Sequence, residues 1–411
     1  MAVRFGSIAR GEAVAAGMRL VRDVLQVVIP GGGFYAYAQL LDRANWGRGS
    51  QRAALLGVGA ALLLILVTRR IRPLSSKRLV PVFAIAVLIL VGLSVTRALG
   101  SLGGLSPTVD IGTTTVASVE LWLAGENPYT EQIDPAGERV NPGGRGLGFF
   151  GGFKYGPVMT LAYLPGVWLA GSDGYLVTNL VLLLLTAAVA GYWAGGAGVT
   201  AGLGAAALVL LPSFVRNELF GVGVNDLVPV VLGTLALALR SRGRVVGPGV
   251  LMGLSIAAKP LPGAVFALVM LGMRGCRWRC AGATALTAIL AYLPAVVRSP
   301  QELFAGLVMF NLARPADSTS LVFGASELVQ RLAGIAAMLG AAVLATAGGW
   351  RWADREPSRV ASVAAGAVAV LLVGSGHIHR NYLLWLVPLV AVALAANMMR
   401  TSARERSSST S

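Results

Sequence analysis

Long apolar stretches recur along the chain, and they constrain its fold more than any other feature of the sequence. Stretches of about 15 to 22 residues, the length that an α-helix needs to cross a bilayer, follow one another from Ala53 to Ala396. Of the 411 residues, 55% are hydrophobic and 13% are charged. This charged fraction is about half that of an average soluble protein. The sequence therefore excludes a soluble enzyme and predicts an all-α, polytopic transmembrane helical bundle.

The formal net charge of +16 does not indicate a nucleic-acid partner. Lysines and arginines form short clusters between apolar stretches, whereas nucleic-acid binding needs one continuous basic face. Cys276 and Cys280 are the only two cysteines, too few for a disulfide framework or a four-ligand metal site, so we expect reduced thiols.

The basic clusters predict the orientation of the spans. The run Thr68–Arg78 marks the cytoplasmic side, so the next stretch runs outward and delivers Gly100–Tyr155 to the extracytoplasmic face. Alternation from there gives about eleven spans. After the first, which starts near Ala53, we predict Leu79–Thr96, Gly174–Trp193, Gly198–Phe214, Asp226–Leu239, two halves of Val245–Met273, Ala281–Val297, Gln330–Ala347, Arg359–Val373 and Tyr382–Ala396. We predict a second outer loop at Arg298–Leu321.

The stretch Val245–Met273 allows one kinked span or two short helices broken at Lys259, Pro260 and Pro262. Two helices of about 14 residues reach only about 21 Å, short of a core of about 30 Å. One crossing, however, would put the arginines of RGCRWRC on the wrong side, so we predict two. Val24–Leu41 remains undecided between a span and an interfacial helix. Residues 1–52 form an N-terminal segment, 53–398 the membrane domain and 399–411 a disordered cytoplasmic tail.

Asp110 is the first unusual residue of the outer segments. It follows the glycine-rich exit GSLGGLSPTVD and precedes an amphipathic helix, TTTVASVELWLAG, whose threonines suit N-cap positions. A carboxylate is thereby held near the membrane surface. It is either a solvated or helix-capping acid or a general base for an alcohol acceptor.

The stretch NPYTEQIDPAGERVNPGGRGLGFFGGFKYGP is rich in turn-forming residues. It is either a flexible outer loop or a lid over the substrate. In a lid, Phe149, Phe150, Phe153 and Tyr155 would pack on a lipid or sugar. Val158–Ala170 then forms a juxtamembrane helix rather than a full span.

Cationic residues later in the chain suggest an anion site. Lys259 lies between two apolar stretches, where an ammonium group must snorkel, find a carboxylate or bind an anion. His377 and His379 share one outer turn with Arg380. Because no compact acid accompanies the histidines, we favour a phosphate-binding cluster over a metal site.

The order of these features resembles the GT-C superfamily of glycosyltransferases, and within it the polyprenol-phosphate-mannose-dependent mannosyltransferases of actinobacteria. The resemblance covers roughly residues 79–396. It rests on TVD ending at Asp110, WLAGENPY at Trp122–Tyr129, FKYGPV at Phe153–Val158, GVGVND at Gly221–Asp226, GLSIAAKPLP at Gly253–Pro262 and HIHRNYLLWLVPL at His377–Leu389.

The resemblance implies an inverting transfer of a sugar, mannose in the first instance, from a polyprenyl-phosphate donor. The acceptor would be a cell-envelope glycolipid or glycan on the extracytoplasmic face of a bacterial plasma membrane. Asp110 would be the general base. The resemblance implies no cofactor, and we expect no metal. The donor-phosphate candidates are Lys259, Arg380, His377 and His379, with Arg216 as a weaker one, and the other substrate-binding candidates are Asn127, Tyr129, Lys154, Tyr155, Asn225 and Asp226.

Two alternatives remain open from the sequence. Within the same class, the sugar could be arabinofuranose. From another class, a transporter or lipid flippase also uses broken helices and intramembrane cations. A transporter predicts its essential polar groups near the midplane of the membrane, whereas the enzyme predicts them gathered on one face.

Overall fold

The computed structural model describes residues 79–102, 110–134, 150–275, 277–314, 320, 322, 324–352, 356–374 and 379–398. In these ranges the regular structure is helical throughout. The principal helices are α1 Val80–Leu99, α2 Asp110–Leu123, α3 Pro157–Ala170, α4 Gly174–Ala194, α5 Val199–Leu210, α6 Leu227–Ser241, α7 Val246–Ala258, α8 Pro260–Gly272, α9 Arg277–Arg298, α10 Glu327–Trp352, α11 Pro357–Val373 and α12 Val387–Met398.

Five helical segments in the described ranges are long and apolar enough to cross a membrane. Helix α5 and the following segment Ser213–Val222 would form a sixth, bent by 58° where Pro212 interrupts the chain. Helices α6, α7, α8 and α11 are apolar but shorter. The predicted all-α polytopic bundle is confirmed. The count of about eleven spans stays a prediction, and Val24–Leu41, Thr68–Arg78 and the C-terminal tail lie outside the described residues.

The prediction of two short helices broken at Lys259 is confirmed. Lys259 has an extended backbone, and α7 ends just before it while α8 begins just after it. The two helices form an antiparallel hairpin. Cys280 at the start of α9 shows this, since it contacts both the beginning of α7 and the end of α8. A Cβ added to Gly249 would lie 2.6 Å from the Cys280 carbonyl oxygen, and the Cys280 Sγ lies 3.6 Å from the Met270 Sδ.

The helices alternate in direction as the sequence predicts, so the bundle has two distinct ends. At one end, the Trp193 indole donates to the Ser241 hydroxyl, and the Arg240 guanidinium donates to backbone carbonyls after α8. We call this the arginine end; its short loops and the helix ends beside them carry Arg240, Arg242, Arg244, Arg274, Arg277 and Arg279. At the other end lie Asp226, which precedes α6, and Lys259 at the hairpin tip, joined by an ion pair. We call this the Asp226 end.

The centre of the bundle is closed by the segment Asn381–Met398, which includes helix α12 and is 94% buried. The outer helices α1 and α9 are only 17% and 11% buried, as expected for helices that face lipid. Glycines allow the helix backbones to approach each other closely inside the bundle. A Cβ added to Gly349 on α10 would lie only 3.1 Å from the Cα of Gly272 on α8. The helices therefore pack through small residues, as transmembrane helices commonly do.

Two local predictions need correction. The threonines after Asp110 are not N-caps, because α2 already begins at Asp110 and the Thr115 hydroxyl donates to the Ile111 carbonyl within the helix. The second outer segment, predicted as a loop from Arg298 to Leu321, is helical from Pro300 to Ala313, with a π-helical turn at Ala305–Met309. Apolar residues such as Leu303 bury one side of it and stabilise the helix.

Candidate active site

A buried carboxylate joins three elements at the Asp226 end. The Asp226 side chain is fully buried, and its Oδ1 accepts hydrogen bonds from Lys259 Nζ at 2.6 Å and from Trp385 Nε1 at 2.7 Å. Its Oδ2 accepts one from Asn381 Nδ2 at 2.6 Å. The carboxylate thus ties the start of α6 to the tip of the α7–α8 hairpin and to the 3₁₀ helix Arg380–Trp385.

Lys259 is the most central of the predicted cations. Its side chain is 13% exposed, and its ammonium lies 5.1 Å from the ring centroid of Tyr155, 5.5 Å from that of Tyr382 and 5.9 Å from that of Trp385. Of the three outcomes that the sequence allows, the ammonium has found a carboxylate. The aromatic rings add cation–π attraction, so the cation is stabilised without full hydration.

The first outer segment, between α2 and α3, packs against the tip of the α7–α8 hairpin at Lys259. The Tyr129 hydroxyl donates to the Tyr155 carbonyl at 3.1 Å, and the Phe153 ring packs against both tyrosines. Burial raises the pKa of Tyr129 far above its ordinary value, so its hydroxyl stays protonated and can donate. Phe153 is 1% exposed and Phe150 3% exposed. These two phenylalanines are therefore core residues, which contradicts the substrate-facing role predicted for them; residues 135–149, with Phe149 among them, lie outside the described residues.

Lys154 lies where the two outer segments meet. Its ammonium forms an ion pair with Asp134 and lies 4.4 Å from the ring centroid of Phe310. Phe310 belongs to the second outer segment and also packs edge-on against Phe150. With the Lys154 charge balanced by Asp134, its contacts fit a link between segments better than the substrate contact predicted from sequence.

Gly156 provides a test of this packing. Its amide donates to the Ala258 carbonyl at 3.0 Å, and an added Cβ would collide with the backbone carbonyl of Ala257. We expect Gly156→Ala to lower the free energy of unfolding by about 1–3 kcal/mol, because overpacking displaces the backbone. Thermal unfolding in detergent measures this. Gly92→Ala on α1, where an added Cβ meets nothing within 4 Å, is the control and should leave stability unchanged or slightly raised. Equal stability of the two variants would contradict the predicted contact.

Helix α2 brings Asp110 to the same end. The Asn225 amide donates to the Thr115 hydroxyl at 3.0 Å, and both side chains are fully buried. Asp110 starts α2, five residues before Thr115, which corresponds to about 7.5 Å along the helix axis. Since Asn225 directly precedes Asp226, the backbone of Asp110 lies near the ion pair despite a separation of more than a hundred residues. The Asp110 side chain lies outside the described atoms.

His379 is the described histidine of the HIHRN turn. His379 packs edge-on against Tyr382, with ring centroids 5.4 Å apart, and its Nε2 lies 3.2 Å from Arg314 Nη2. Arg380 is described by its backbone, next to Asn381, which bonds to Asp226. His377 lies outside the described residues. Over the parts of the chain that the structure describes, no three His, Cys, Asp or Glu residues group as a metal site requires. Metal independence stays a prediction.

The model of glycosyltransferase family 87 matches residues 153–376, which is more than half of the 411 residues. The chain belongs to glycosyltransferase family 87. Among solved structures, the glycosyltransferase is similar to the crystal structure of ArnT from Cupriavidus metallidurans in the apo state, with a TM-score of 0.52 and 19% sequence identity. The match covers 78% of this chain and 61% of the ArnT chain, so this chain spans less than two thirds of ArnT. No curated protein matches the sequence.

These comparisons confirm the coarser part of the resemblance: a membrane glycosyltransferase with a GT-C-like fold. The family match includes Tyr155, Asn225, Asp226 and Lys259 of the glycosyltransferase. The elements carrying Asp110 and Arg380 lie outside the matched range but contact it through Asn225 and Asp226. Among the described candidates, Asn225, Asp226 and Lys259 lie together at one end of the bundle.

Several residues of this site were missed from the sequence. Asn381 and Trp385 were quoted only as neighbours of the HIHRN turn, and Arg314 lay in a segment predicted as a loop. Nothing in residue spacing singles out Asn381. The nearby Asn127 has a local role instead, because its side-chain oxygen accepts from the Tyr129 amide at 3.1 Å. Arg216 donates to the Leu210 carbonyl, which makes it a weaker phosphate candidate.

Proposed function

We propose that this family 87 enzyme transfers a sugar, with mannose as the first candidate, from a polyprenyl-phosphate donor to a cell-envelope glycolipid or glycan. The observation that carries the proposal is the meeting, at one end of the bundle, of the Asp110 helix, the Lys259 tip and the Arg380 segment around Asp226. This arrangement brings a candidate base and candidate cations to one substrate.

The chemistry assigns separate roles to these groups. Asp110 takes the proton from the acceptor hydroxyl as that oxygen attacks the anomeric carbon, and attack opposite the leaving phosphate inverts the configuration. The bond to the phosphate oxygen breaks, so negative charge grows on the lipid phosphate. Fixed cations stabilise that charge. The Lys259 ammonium has three N–H donors and uses one of them on Asp226, and Arg380 follows in sequence next to Asn381, which bonds to Asp226.

Asp226 and Lys259 together form a neutral pair, which changes the role predicted for each. Asp226 is fully buried and already accepts three hydrogen bonds, so its contacts fit a residue that positions others rather than one that touches the sugar. Because the charge of Lys259 is balanced by Asp226, Lys259 contributes hydrogen bonds to the phosphate rather than net positive charge. The remaining positive charge would come from Arg380, with His379 and Arg314 beside it.

We further propose that the Asp226 end faces the outside of the cell. Support comes from the opposite end, where the short loops and the helix ends beside them carry the six arginines named above, because arginines in and next to short loops favour the cytoplasmic side. The lipid phosphate of the donor would then approach the Asp226 end along the bilayer surface, with its polyprenyl chain among the outer helices.

The experiment supplies the purified protein in nanodiscs with radiolabelled donors and an envelope glycolipid extract. We expect transfer from mannosyl-phosphoryl-polyprenol but not from GDP-mannose, since a GT-C-like fold uses a lipid-phosphate donor. Arabinofuranosyl-phosphoryl-polyprenol tests the alternative sugar. An assay with chelator measures metal independence. Transfer from the nucleotide sugar alone, or from none of the lipid donors, would overturn the proposal.

A further inference from the structure

The arginine end holds a cluster of basic and aromatic side chains, where the loop between α8 and α9 meets the end of α10. The guanidinium carbon of Arg274 lies 5.4 Å from the ring centroid of Trp350, and that of Arg277 lies 5.2 Å from the same ring. Arg277 also lies 5.6 Å from the ring centroid of Trp278. Two cations therefore converge on one indole ring.

This convergence has no neutralising partner in the described part of the chain. No carboxylate there forms an ion pair with Arg274, Arg277 or Arg279. Cation–π attraction at exposed sites amounts to only about 0.5–1 kcal/mol and leaves the positive charge of each guanidinium group in place. An anion bound beside the Trp350 ring would interact with both charges.

The loop is fixed in place rather than free to move its arginines apart. Arg240 is 1% exposed and donates to the carbonyls of Met273, Arg274 and Gly275. Gly275 has a φ of +85°, a left-handed conformation that suits glycine. The cations are therefore positioned before any ligand arrives, which lowers the entropy that binding costs.

The backbone at this point also favours an anion. Helix α9 is 22 residues long and begins at Arg277, so its first amide groups and the positive end of its dipole lie beside the arginine side chains. The second observation that points to an anionic ligand here is the pair Arg274 and Arg277, which share one indole ring and form no ion pair with any carboxylate of the described residues.

The surroundings select a lipid over a soluble anion. Trp278 is 79% exposed and Trp350 48% exposed, and tryptophans concentrate at the level of lipid headgroups. The helices that lead away from the loop, α9 and α10, expose apolar side chains to the bilayer, among them Ile289 at 62% and Val343 at 64%. A ligand with both a phosphate and acyl chains matches both features.

We propose that Arg274, Arg277 and the start of α9, together with Trp278 and Trp350, form a binding site for the phosphodiester headgroup of an anionic phospholipid. The acyl chains would lie against the exposed faces of α9 and α10. This site lies at the opposite end of the bundle from the candidate active site, and the proposal does not depend on the donor or acceptor of the transferase.

Native mass spectrometry of the delipidated full-length protein tests the proposal, with dioleoyl-phosphatidylglycerol and dioleoyl-phosphatidylcholine as probes. We expect phosphatidylglycerol to bind more tightly. The double variant Arg274→Gln/Arg277→Gln should weaken its binding about 30-fold, because each arginine near an anionic headgroup contributes about fivefold. Both arginines are exposed, so the variant should melt like the wild type.

Arg242→Gln is the matched control, since Arg242 lies at the same end and stacks on Tyr192 but lies outside the proposed site. It should leave phosphatidylglycerol binding nearly unchanged. An equal loss in this control would assign the binding to diffuse charge and overturn the site. Equal affinity for phosphatidylcholine would also overturn it. Displacement of the lipid by glycerol 3-phosphate at similar concentration would instead identify a site for soluble phosphate.

Discussion

Asp110→Asn is expected to lower kcat for sugar transfer by about 10²–10⁴-fold, the usual contribution of a general base. The amide has nearly the same shape as the carboxylate but cannot accept the acceptor's proton. Because the base acts on the acceptor hydroxyl, KM for the polyprenyl-phosphate donor should change little. Initial rates at varied donor and saturating acceptor measure both constants.

Glu120→Gln is the control for this substitution. Glu120 lies on the same helix, α2, and is exposed, so it shares the helix without sharing the buried contact of Thr115 with Asn225. It should keep wild-type kcat. An Asp110→Asn enzyme that retains more than about a tenth of wild-type kcat would remove Asp110 from the role of base. Transfer by the wild type would still leave the proposed donor in place.

The course of the helices could be predicted from the sequence because two simple physical constraints act on it. Apolar length fixes where a helix can cross lipid, and arginine clusters fix which way it runs. Together they predicted the hairpin on either side of Lys259, even though each of its helices is short for a bilayer. The same constraints predict that the segments containing Asp110 and Asp226 lie at the same end of the bundle.

The contacts within the site could not be predicted, since they depend on how distant elements meet. Lys259 was expected to find a carboxylate, snorkel or bind an anion, and only the fold brings Asp226 to it. The turn-forming neighbours of Phe153 predict either a flexible loop or a lid, yet the ring is buried and packs against Tyr129 and Tyr155. Turn-rich composition predicts an irregular backbone but not whether the segment is packed.

Asp226→Asn is expected to cause the second large loss. The substitution leaves the Lys259 ammonium buried without its counter-charge, and the new amide cannot accept from all three present donors while keeping its own hydrogens satisfied. Breaking a buried ion pair costs about 3–5 kcal/mol. We expect a clear fall in melting temperature and a loss in kcat/KM of about 10²-fold, because displaced groups no longer meet the donor phosphate.

Arg240→Met separates a loss of positioning from a general loss of stability. Arg240 is also buried and bonded to the backbone, but it lies at the arginine end, far from the site. We expect it to lower the melting temperature as well, while the folded fraction keeps the wild-type kcat and donor KM. If kcat/KM per folded enzyme fell equally in Asp226→Asn and Arg240→Met, Asp226 would have only a structural role.

The double variant Asp226→Asn/Lys259→Met decides between positioning and direct contact. If Asp226 acts only by holding Lys259 and the Asn381 segment, removing both charges should recover part of the stability that the single substitution loses, since no uncompensated charge stays buried. Donor KM should stay high, because the lysine that meets the phosphate is gone. If Asp226 instead touched the sugar, the kinetic losses of the two single variants would multiply in the double variant. A coupling energy near zero would therefore refute the positioning role, and a KM restored to the wild-type value would refute the assignment of Lys259 to the phosphate.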